Sequence, residues 1–330
     1  MQAIVMSGTG GPEVLQVRDV ARPRPQRGEI LLRTEAVPVL YPETLIRAGV
    51  YPAPATSPQI FGIQAVGVVA EVGAGADPRL RGQRVLVAGT GTWAEWVCAP
   101  ADSAVPVPDG LDPENAAAVA MSCSVALTLL DAAAASSAET VLVEAAATGV
   151  GGYLTQLARR HGAGTVIATA GGQDKTERAR ELGADEVIDH RDPDWPQRLR
   201  DLLGTDTVDL VFDAVGGPSA AALLDVMTPL RGRMLGYGWL SGAPAQVTTM
   251  DLIMRGLSFT GCPGPDWLAA VAERRARALE LAATGAVTVL IDRVLPLDRA
   301  TEAHRLVDQR ATLGTIVLRP TATDSAGFSR

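Results

Sequence analysis

Short apolar runs rich in β-branched residues, cut by glycine and proline, make up the first 120 residues. Segments 3–6 (AIVM), 29–37 (EILLRTEAV), 65–76 (AVGVVAEVGAGA) and 84–89 (RVLVAG) have this texture, which predicts strands joined by turns. Prolines crowd residues 38–58, so that stretch reads as loop. From about Met121 the pattern changes. ETVLVEAA (139–146) is an apolar run suited to a strand buried on both faces. In VGGYLTQLARRHGA, Leu154, Leu157 and Ala158 share one helical face and Gly162 offers a stop. TVIATA (165–170) predicts a second strand, DKTERARELGA a helix closed by Gly183, and DEVIDH, VDLVFDAVGG and RGRMLGYG continue the alternation. Strand and helix in alternation predict a parallel sheet with helices on both faces. Beyond Phe259 the spacing predicts one long helix over Pro265–Thr284, a strand at VTVLIDRVLPL, a helix at RATEAHRLVDQ and a last strand at GTIVLRP. The tail, residues 321–330, is expected to fray.

Composition narrows this picture. A chain of 330 residues suits two domains. The net charge of −8 gives no footing for nucleic acid, and the arginine runs at 22–27 and 273–277 read as solvated faces. No apolar run reaches the ~20 residues of a membrane span, and the opening MQAIVMSGTGG lacks the pattern of a signal peptide. Cys98, Cys123 and Cys262 are few and scattered. They suggest neither a disulfide framework nor a zinc cluster, each is expected as a small buried hydrophobe, and a reducing cytoplasm is the simplest setting.

The turn after the first buried strand reads Ala147-Thr148-Gly149-Val150-Gly151-Gly152. It is an A-x-G-x-x-G variant of the dinucleotide fingerprint. Small residues let backbone approach a pyrophosphate, and the helix that follows aims free N–H groups and its positive dipole end at that anion. The strand before and the helix after supply the context the motif needs. An NAD site would place an acidic residue ~20 positions on, at the end of the second strand. Here Thr169, Ala170, Gly171 and Gly172 are uncharged. Lys175, the only lysine in the chain, follows at the start of the next helix, with Asp174 beside it. His190 and Arg191 end the third strand. A compact ammonium there can meet a phosphate, so Lys175 is the expected selector for NADPH.

The whole of residues 1–320 resembles the medium-chain dehydrogenase/reductase superfamily, in its zinc-independent quinone oxidoreductase branch. The resemblance is carried by GGPEVLQV, RAGVYP, FGIQAVGVVAEVGAGA, GTWAEWVCAPAD, the segment 139–170, ELGADEVIDHR, VDLVFDAVGG, RGRMLGYGWLSG and LGTIVLRP. It implies an α/β protein with a GroES-like partial β-barrel at 1–120, a Rossmann domain at 121–262 and a return to the first domain at 263–320. It also implies NADPH and a homodimer. Zinc-dependent members carry Gly-His-Glu where this chain has Gly62-Ile63-Gln64, and isoleucine cannot ligate zinc. Other departures bear on substrate. The branch's Asn-x-x-Asp matches Leu40 and Glu43, a loop tyrosine matches Leu45, and the Gly-Lys of the last strand is Gly314-Thr315.

Hydride transfer is the cofactor's chemistry, and the protein supplies position and polarising donors. For an enone or quinone, a hydroxyl or water can protonate the oxyanion. Tyr41 and Tyr51 lie in the loop that this fold places over its cleft and are the candidate donors. Gly236, Tyr237 and Gly238 follow a strand C-terminus, where open sheets bind ligands, and their backbone would meet the carboxamide. Leu40 and Trp239 are expected to line the substrate pocket. His161 and His304 read as surface helix residues. The reading is an NADPH-dependent reductase of a quinone or conjugated enone. The alternatives are a 2-enoyl thioester reductase and, in another class, a non-catalytic NADPH sensor.

Overall fold

The computed structural model describes residues 1–52, 59–136, 138–262 and 264–320; the expected frayed tail lies outside them. The chain packs into two units, Met1–Ala120 with the segment from Leu279 onward, and Met121–Ala278. The second division falls later than the 263 expected from sequence. Residues 264–278 stay with the inserted unit, where Arg274 pairs with Asp131 at 2.8 Å.

The first unit opens with β1 (Gln2–Met6), β2 (Leu15–Asp19) and β3 (Glu29–Val39), followed by α1 (Tyr41–Ala48) and β4 (Gln59–Ile60). Then come β5 (Gln64–Val72), β6 (Arg84–Ala88), β7 (Trp96–Pro100), β8 (Val105–Pro106) and α2 (Pro113–Ala133), which passes into the second unit at Met121. The strands β2-β1-β4 form a small antiparallel sheet. Of the stretch read as loop, residues 38–39 and 41–48 are strand and helix, and residues 53–58 lie outside those described. β3 continues through Pro38 and α1 begins at Tyr41. A strand tolerates proline where its missing N–H costs no ladder bond, and Glu43 reaches back to accept from Leu40 N at 2.8 Å, capping the helix from its third position. Gly49, at φ 78°, closes it. α2 also departs from the expectation. It is long and apolar enough to cross a membrane by composition alone, yet 72% of its apolar window is buried inside the protein, as in a core helix. The periodic reading missed it because its alanines and leucines run around the whole helix.

The second unit contains β9 (Thr140–Val143), α3 (Gly149–Ala158), β10 (Thr165–Ala170), α4 (Gln173–Glu181) and β11 (Glu186–Asp189). It continues with α5 (Trp195–Leu203), β12 (Leu210–Asp213), α6 (Gly217–Leu224), β13 (Arg233–Gly236), α7 (Thr249–Arg255), β14 (Ser258–Gly261), α8 (Gly264–Glu273) and α9 (Arg275–Ala283), of which the last crosses back into the first unit. The six strands lie in the order β11-β10-β9-β12-β13-β14, all parallel. This is the doubly wound dinucleotide-binding order, and it reverses direction between β9 and β12. Val141, Leu142, Val143, Val166, Val211 and Phe212 are almost fully buried in it, each contributing about 1.5–3 kcal/mol of burial. The single helix expected over 265–284 is two helices. Arg274 N bonds to Val271 O at 3.2 Å, an i to i+3 turn that interrupts the α-helical ladder.

The chain returns to the first unit with β15 (Ile291–Pro296), α10 (Ala300–Asp308) and β16 (Thr315–Arg319). β16 inserts between β15 and β3, giving the sheet order β15-β16-β3-β5-β6-β8, with β7 also paired to β3. The core of this unit is lined by Ile4, Ile30, Leu32, Val85, Trp93 and Ile316.

Candidate active site

Parallel strands present their C-terminal ends to ligands, most openly where the strand order reverses. At the end of β9, the glycine turn leads into α3, whose N-cap is Thr148. Gly149 holds φ at 51°, a left-handed geometry that strains any side chain. Gly151 serves a different purpose. A Cβ there would lie 2.4 Å from Ala145 O and 3.0 Å from Glu144 O, so helix and strand end can approach only with glycine. Gly151, Gly152 and Ala147 are buried, and Thr148 and Val150 are half-buried. The first N–H groups of α3 lack intrahelical acceptors, as at every helix start, so the turn presents donors suited to a pyrophosphate.

At the end of β10 the turn is built from Gly171 and Gly172, and two basic side chains from beyond β11 lie against it. A Cβ on Gly171 would stand 2.8 Å from His190 Nε2 and 3.3 Å from Arg191 Nε. One on Gly172 would stand 2.7 Å from Arg191 Nη1. Asp189 Oδ1 fixes the two strand ends together by accepting from Gly172 N at 3.0 Å and Arg191 N at 2.9 Å. Lys175 is half-buried in the first turn of α4. The structure thus brings His190 and Arg191 to the glycine pair, with Lys175 three residues beyond. Thr169 is different. Its side chain is 0% exposed and its carbonyl accepts from Ala146 N at 3.0 Å. Strand alternation turns it into the unit's interior, so its hydroxyl is not at the surface of the turn.

After β13 the glycines meet packing demands as well. A Cβ on Gly236 would meet the Phe259 ring at 2.6 Å, and one on Gly238 would meet Ala214 O at 2.9 Å. Tyr237 is half-exposed, but its hydroxyl is buried without a partner among the described residues, and burial pushes the phenol above its ordinary range, with Asp213 and Glu144 adding to the shift. That hydroxyl faces acidic groups rather than solvent. Trp239 is 36% exposed.

The first unit gathers its candidates around α1. Tyr41 sits at the helix start, half-buried, with Arg310, Tyr51 and Asp308 close enough to perturb it. Burial raises its phenol, and the Arg310 charge pulls it back; it is a neutral donor at pH 7. Tyr41 and Tyr51 therefore share one neighbourhood. Leu40 is buried at 4% exposure.

Below them lies a buried polar group that the sequence did not announce. Glu43 Oε2 and Oε1 accept from Leu40 N and from Ile63 N at 2.8 and 3.0 Å. Burial pushes its carboxyl up to about 8, against the pull of those N–H groups and the nearby Trp93 indole. Arg47, 4% exposed, bonds both Asp308 oxygens through Nη2 at 3.1 and 2.9 Å. His304 corrects the surface reading. It is 0% exposed, its ring 5.7 and 5.3 Å from those of Phe61 and Trp93. It shares the inward face of α10 with Ala300 and Ala303, and burial followed by the Arg47 charge lowers its pKa to about 3. His161 is half-buried at the end of the turn after α3.

Comparison with known proteins agrees with these two units. Residues 26–109 match the family described as alcohol dehydrogenase GroES-like domain, and residues 149–291 the family described as zinc-binding dehydrogenase. The quinone oxidoreductase of Salmonella typhimurium is 32% identical over 94% of this chain and 97% of its own. The 2-haloacrylate reductase of a Burkholderia species is 30% identical over 98% of this chain and all of its own. The crystal structure of the Escherichia coli quinone oxidoreductase complexed with NADPH superposes with a TM-score of 0.87, at 31% identity, covering 97% of this chain and 100% of that one.

The chain belongs to the quinone oxidoreductase branch of the medium-chain dehydrogenase/reductase superfamily.

As a member of that branch it is an oxidoreductase with a nicotinamide cofactor, and the glycine turns of the second unit fit such a cofactor. The zinc in one family's description finds no matching donors at its site. Ile63 carries no ligand atom. Gln64 is fully buried, with its Nε2 donating to Ala117 O at 2.9 Å. Among the described residues no group of three or more His, Cys, Asp or Glu is placed to hold a metal ion. The thiols do not suit covalent catalysis. Burial raises Cys98 to about 11, Cys123 to about 12 and Cys262 to about 11, the opposite of an activated nucleophile. Cys98 and Cys262 are half-buried rather than fully buried as the sequence suggested.

Proposed function

We propose that the protein is an NADPH-dependent reductase of a quinone or conjugated enone that works without zinc. The observation that carries this reading is the uncharged Gly171–Gly172 turn under His190 and Arg191, with Lys175 in the next helical turn. It is suited to a 2′-phosphate and lacks the carboxylate that would bond a free ribose hydroxyl at the end of β10. In this reading the bound cofactor supplies the hydride. The α3 N-terminus holds the pyrophosphate. Lys175, His190 and Arg191 hold the 2′-phosphate, and the Tyr41 hydroxyl donates a proton to the substrate oxyanion, with Tyr51 as its neighbour. Arg310 beside Tyr41 favours substrates that carry a carboxylate near the enone, and the 2-haloacrylate reductase relative supports that variant. The test is NADPH oxidation with quinone, enone, acrylate and enoyl-thioester acceptors, before and after chelator treatment. Turnover that survives the chelator is expected. Tight NADPH binding with no turnover on any acceptor would favour the sensor alternative, and turnover only with enoyl thioesters the other.

Cofactor choice follows from the same residues. A charge-assisted hydrogen bond contributes roughly 1.5–3 kcal/mol, so Lys175→Ala should weaken NADPH by about 10–150-fold and leave NADH unchanged. Titrations of both cofactors decide it, and an equal loss for both would assign Lys175 a structural role.

We also propose a homodimer in a reducing cytoplasm. β14 ends the parallel sheet, and an unpaired edge needs cover. Met250, Ile253 and Met254 on α7 are 62%, 73% and 74% exposed, and Leu230 85%. An apolar patch of this kind marks a contact surface. Sedimentation should show twice the chain mass, reduced to one by Ile253→Glu; a monomeric wild type would reject the proposal.

A further inference from the structure

Glu144 and Asp213 stand at the C-terminal ends of β9 and β12, the neighbouring strands at which the sheet order reverses. Each is 1% exposed. Asp213 Oδ1 accepts from Val215 N and from Gly216 N, both at 2.7 Å. Glu144 Oε1 accepts from Ser219 Oγ at 2.5 Å. Phe212 pairs in register with Val143, so Asp213 and Glu144, the next residue along each of two parallel neighbouring strands, stand side by side. Their remaining oxygens, Glu144 Oε2 and Asp213 Oδ2, are buried and have no donor among the described residues. Two ionised carboxylates this close, away from water, repel strongly. One proton between them satisfies both oxygens, with Glu144 Oε2–H donating to Asp213 Oδ2. The proton is placed on Glu144 because Asp213 Oδ1 already takes two amide donors.

We propose that Glu144 and Asp213 share a single proton, and that this pair positions the cofactor-binding edge of the second unit. The proposal rests on the reading of that edge as a nicotinamide cofactor site. The pair joins three loops. Glu144 leads into the glycine turn through Ala145, which holds φ at 51°. Asp213 leads into the turn before α6. The backbone of that turn holds the segment after β13, with Tyr237 N, Leu240 N and Ser241 N donating to Asp213 O, Ala214 O and Val215 O at 2.9 Å each. Lock the two carboxyls together and all three loops share one anchor. The groups facing the pair are Ser219 on α6, the Val215 amide, which acts on both acids, and Tyr237 after β13, whose phenol senses both acids. No basic side chain contributes at Glu144.

Burial, followed by Asp213, raises Glu144 well above the ordinary 4.5. The folded protein thus keeps a proton that the unfolded chain releases above about pH 4.5, and stability contributed by the pair falls with rising pH until Glu144 ionises. Above that point two negative charges sit beneath the site of an anionic cofactor. Glu144→Gln replaces the O–H by an N–H donor and removes the titration.

Melting and NADPH titrations between about pH 5 and 10 on wild type, Glu144→Gln, Asp213→Asn and Glu144→Ala test this. The folding equilibrium of wild type relative to Glu144→Gln should fall by up to about tenfold per pH unit across the window. Wild-type NADPH affinity should drop about tenfold or more at the alkaline end, while Glu144→Gln holds its neutral value. Glu144→Ala, which leaves Asp213 Oδ2 unpaired, should bind NADPH about tenfold more weakly at every pH. The buried Glu43 titrates alike in all of them and cancels. Wild-type pH profiles in Glu144→Gln, or equal behaviour of the Gln and Ala variants, would overturn the proposal. If Glu144→Gln does not fold, Asp213→Asn carries the test. Its Nδ2 can donate to an ionised Glu144, so a flattened profile supports the pair and a wild-type profile rejects it. Failure of wild type to bind NADPH near neutrality would overturn the cofactor reading instead, and the cofactor-free melting curves would still judge the pair.

Discussion

Gly151→Ala should destabilise the second unit by about 3 kcal/mol, near the top of the usual range for overpacking, and should weaken nicotinamide cofactor binding in step. The added methyl would sit 2.4 Å from Ala145 O, with the Ala145 carbonyl carbon at 2.9 Å. Both are backbone atoms, so no side chain can rotate away. Either α3 withdraws from the end of β9 or the turn unwinds, and each outcome moves the free N–H groups at the start of α3, which the proposed function assigns to the pyrophosphate. A change of that size lowers the melting temperature by about 6–12 °C in a unit of this length. Gly149→Ala is the control. Nothing lies within 4 Å of its Cβ, and only its φ of 51° is unfavourable, which costs about 1–2 kcal/mol. Thermal melts with and without NADPH would show the ranking. A Gly151→Ala protein that melts like wild type would mean the turn is looser than its geometry indicates.

Trp93→Ala should cost the first unit about 3–5 kcal/mol, the range for removing a buried large aromatic. Trp93 is fully buried, edge-on to Phe61 at 5.1 Å and to His304 at 5.3 Å. Its loss leaves the imidazole beside a void into which water can move. The desolvation that holds His304 near 3 is then relieved, and its titration should rise toward the ordinary histidine range. Denaturant unfolding measures the first effect and a histidine NMR titration the second. Trp93→Phe should retain most of the stability, and no loss in either variant would contradict the packing described.

The doubly wound sheet could be read in advance because its strands are continuous apolar runs and its turns are punctuated by glycine. β9, β10 and β12 are buried on both faces beyond the first residues of β9 and β10, so nearly every position in them obeys one rule. The glycine turn was legible for the same reason, since backbone approach demands small residues whatever surrounds them. Other features depend on what topology brings together. His304 reads as polar along α10, and only the insertion of β16 beside β3, with Phe61 and Trp93 packed nearby, makes its face an inner one. Tyr41 looked like a loop residue among prolines because Glu43 caps α1 from within, without the serine or aspartate that usually signals a helix start. Glu144 vanished inside an apolar run, and its partner lies on a strand far along the chain. Arg191 had a visible place at a strand end, but its contact with Gly172 needed the turn's shape.

The order of strands in the first unit bears on how the protein is made. β3 is synthesised before the inserted unit, yet β16, which pairs with it through Ile316–Val39, Val317–Pro38 and Leu318–Val37, leaves the ribosome only after that unit. Val37 and Val39, buried in the finished protein, must wait unpaired while the entire inserted unit is translated, and that unit can complete its own sheet first. A nascent chain stalled before Thr315 would therefore carry a finished cofactor-binding half and an open apolar edge, the state in which such a protein is most in need of a chaperone.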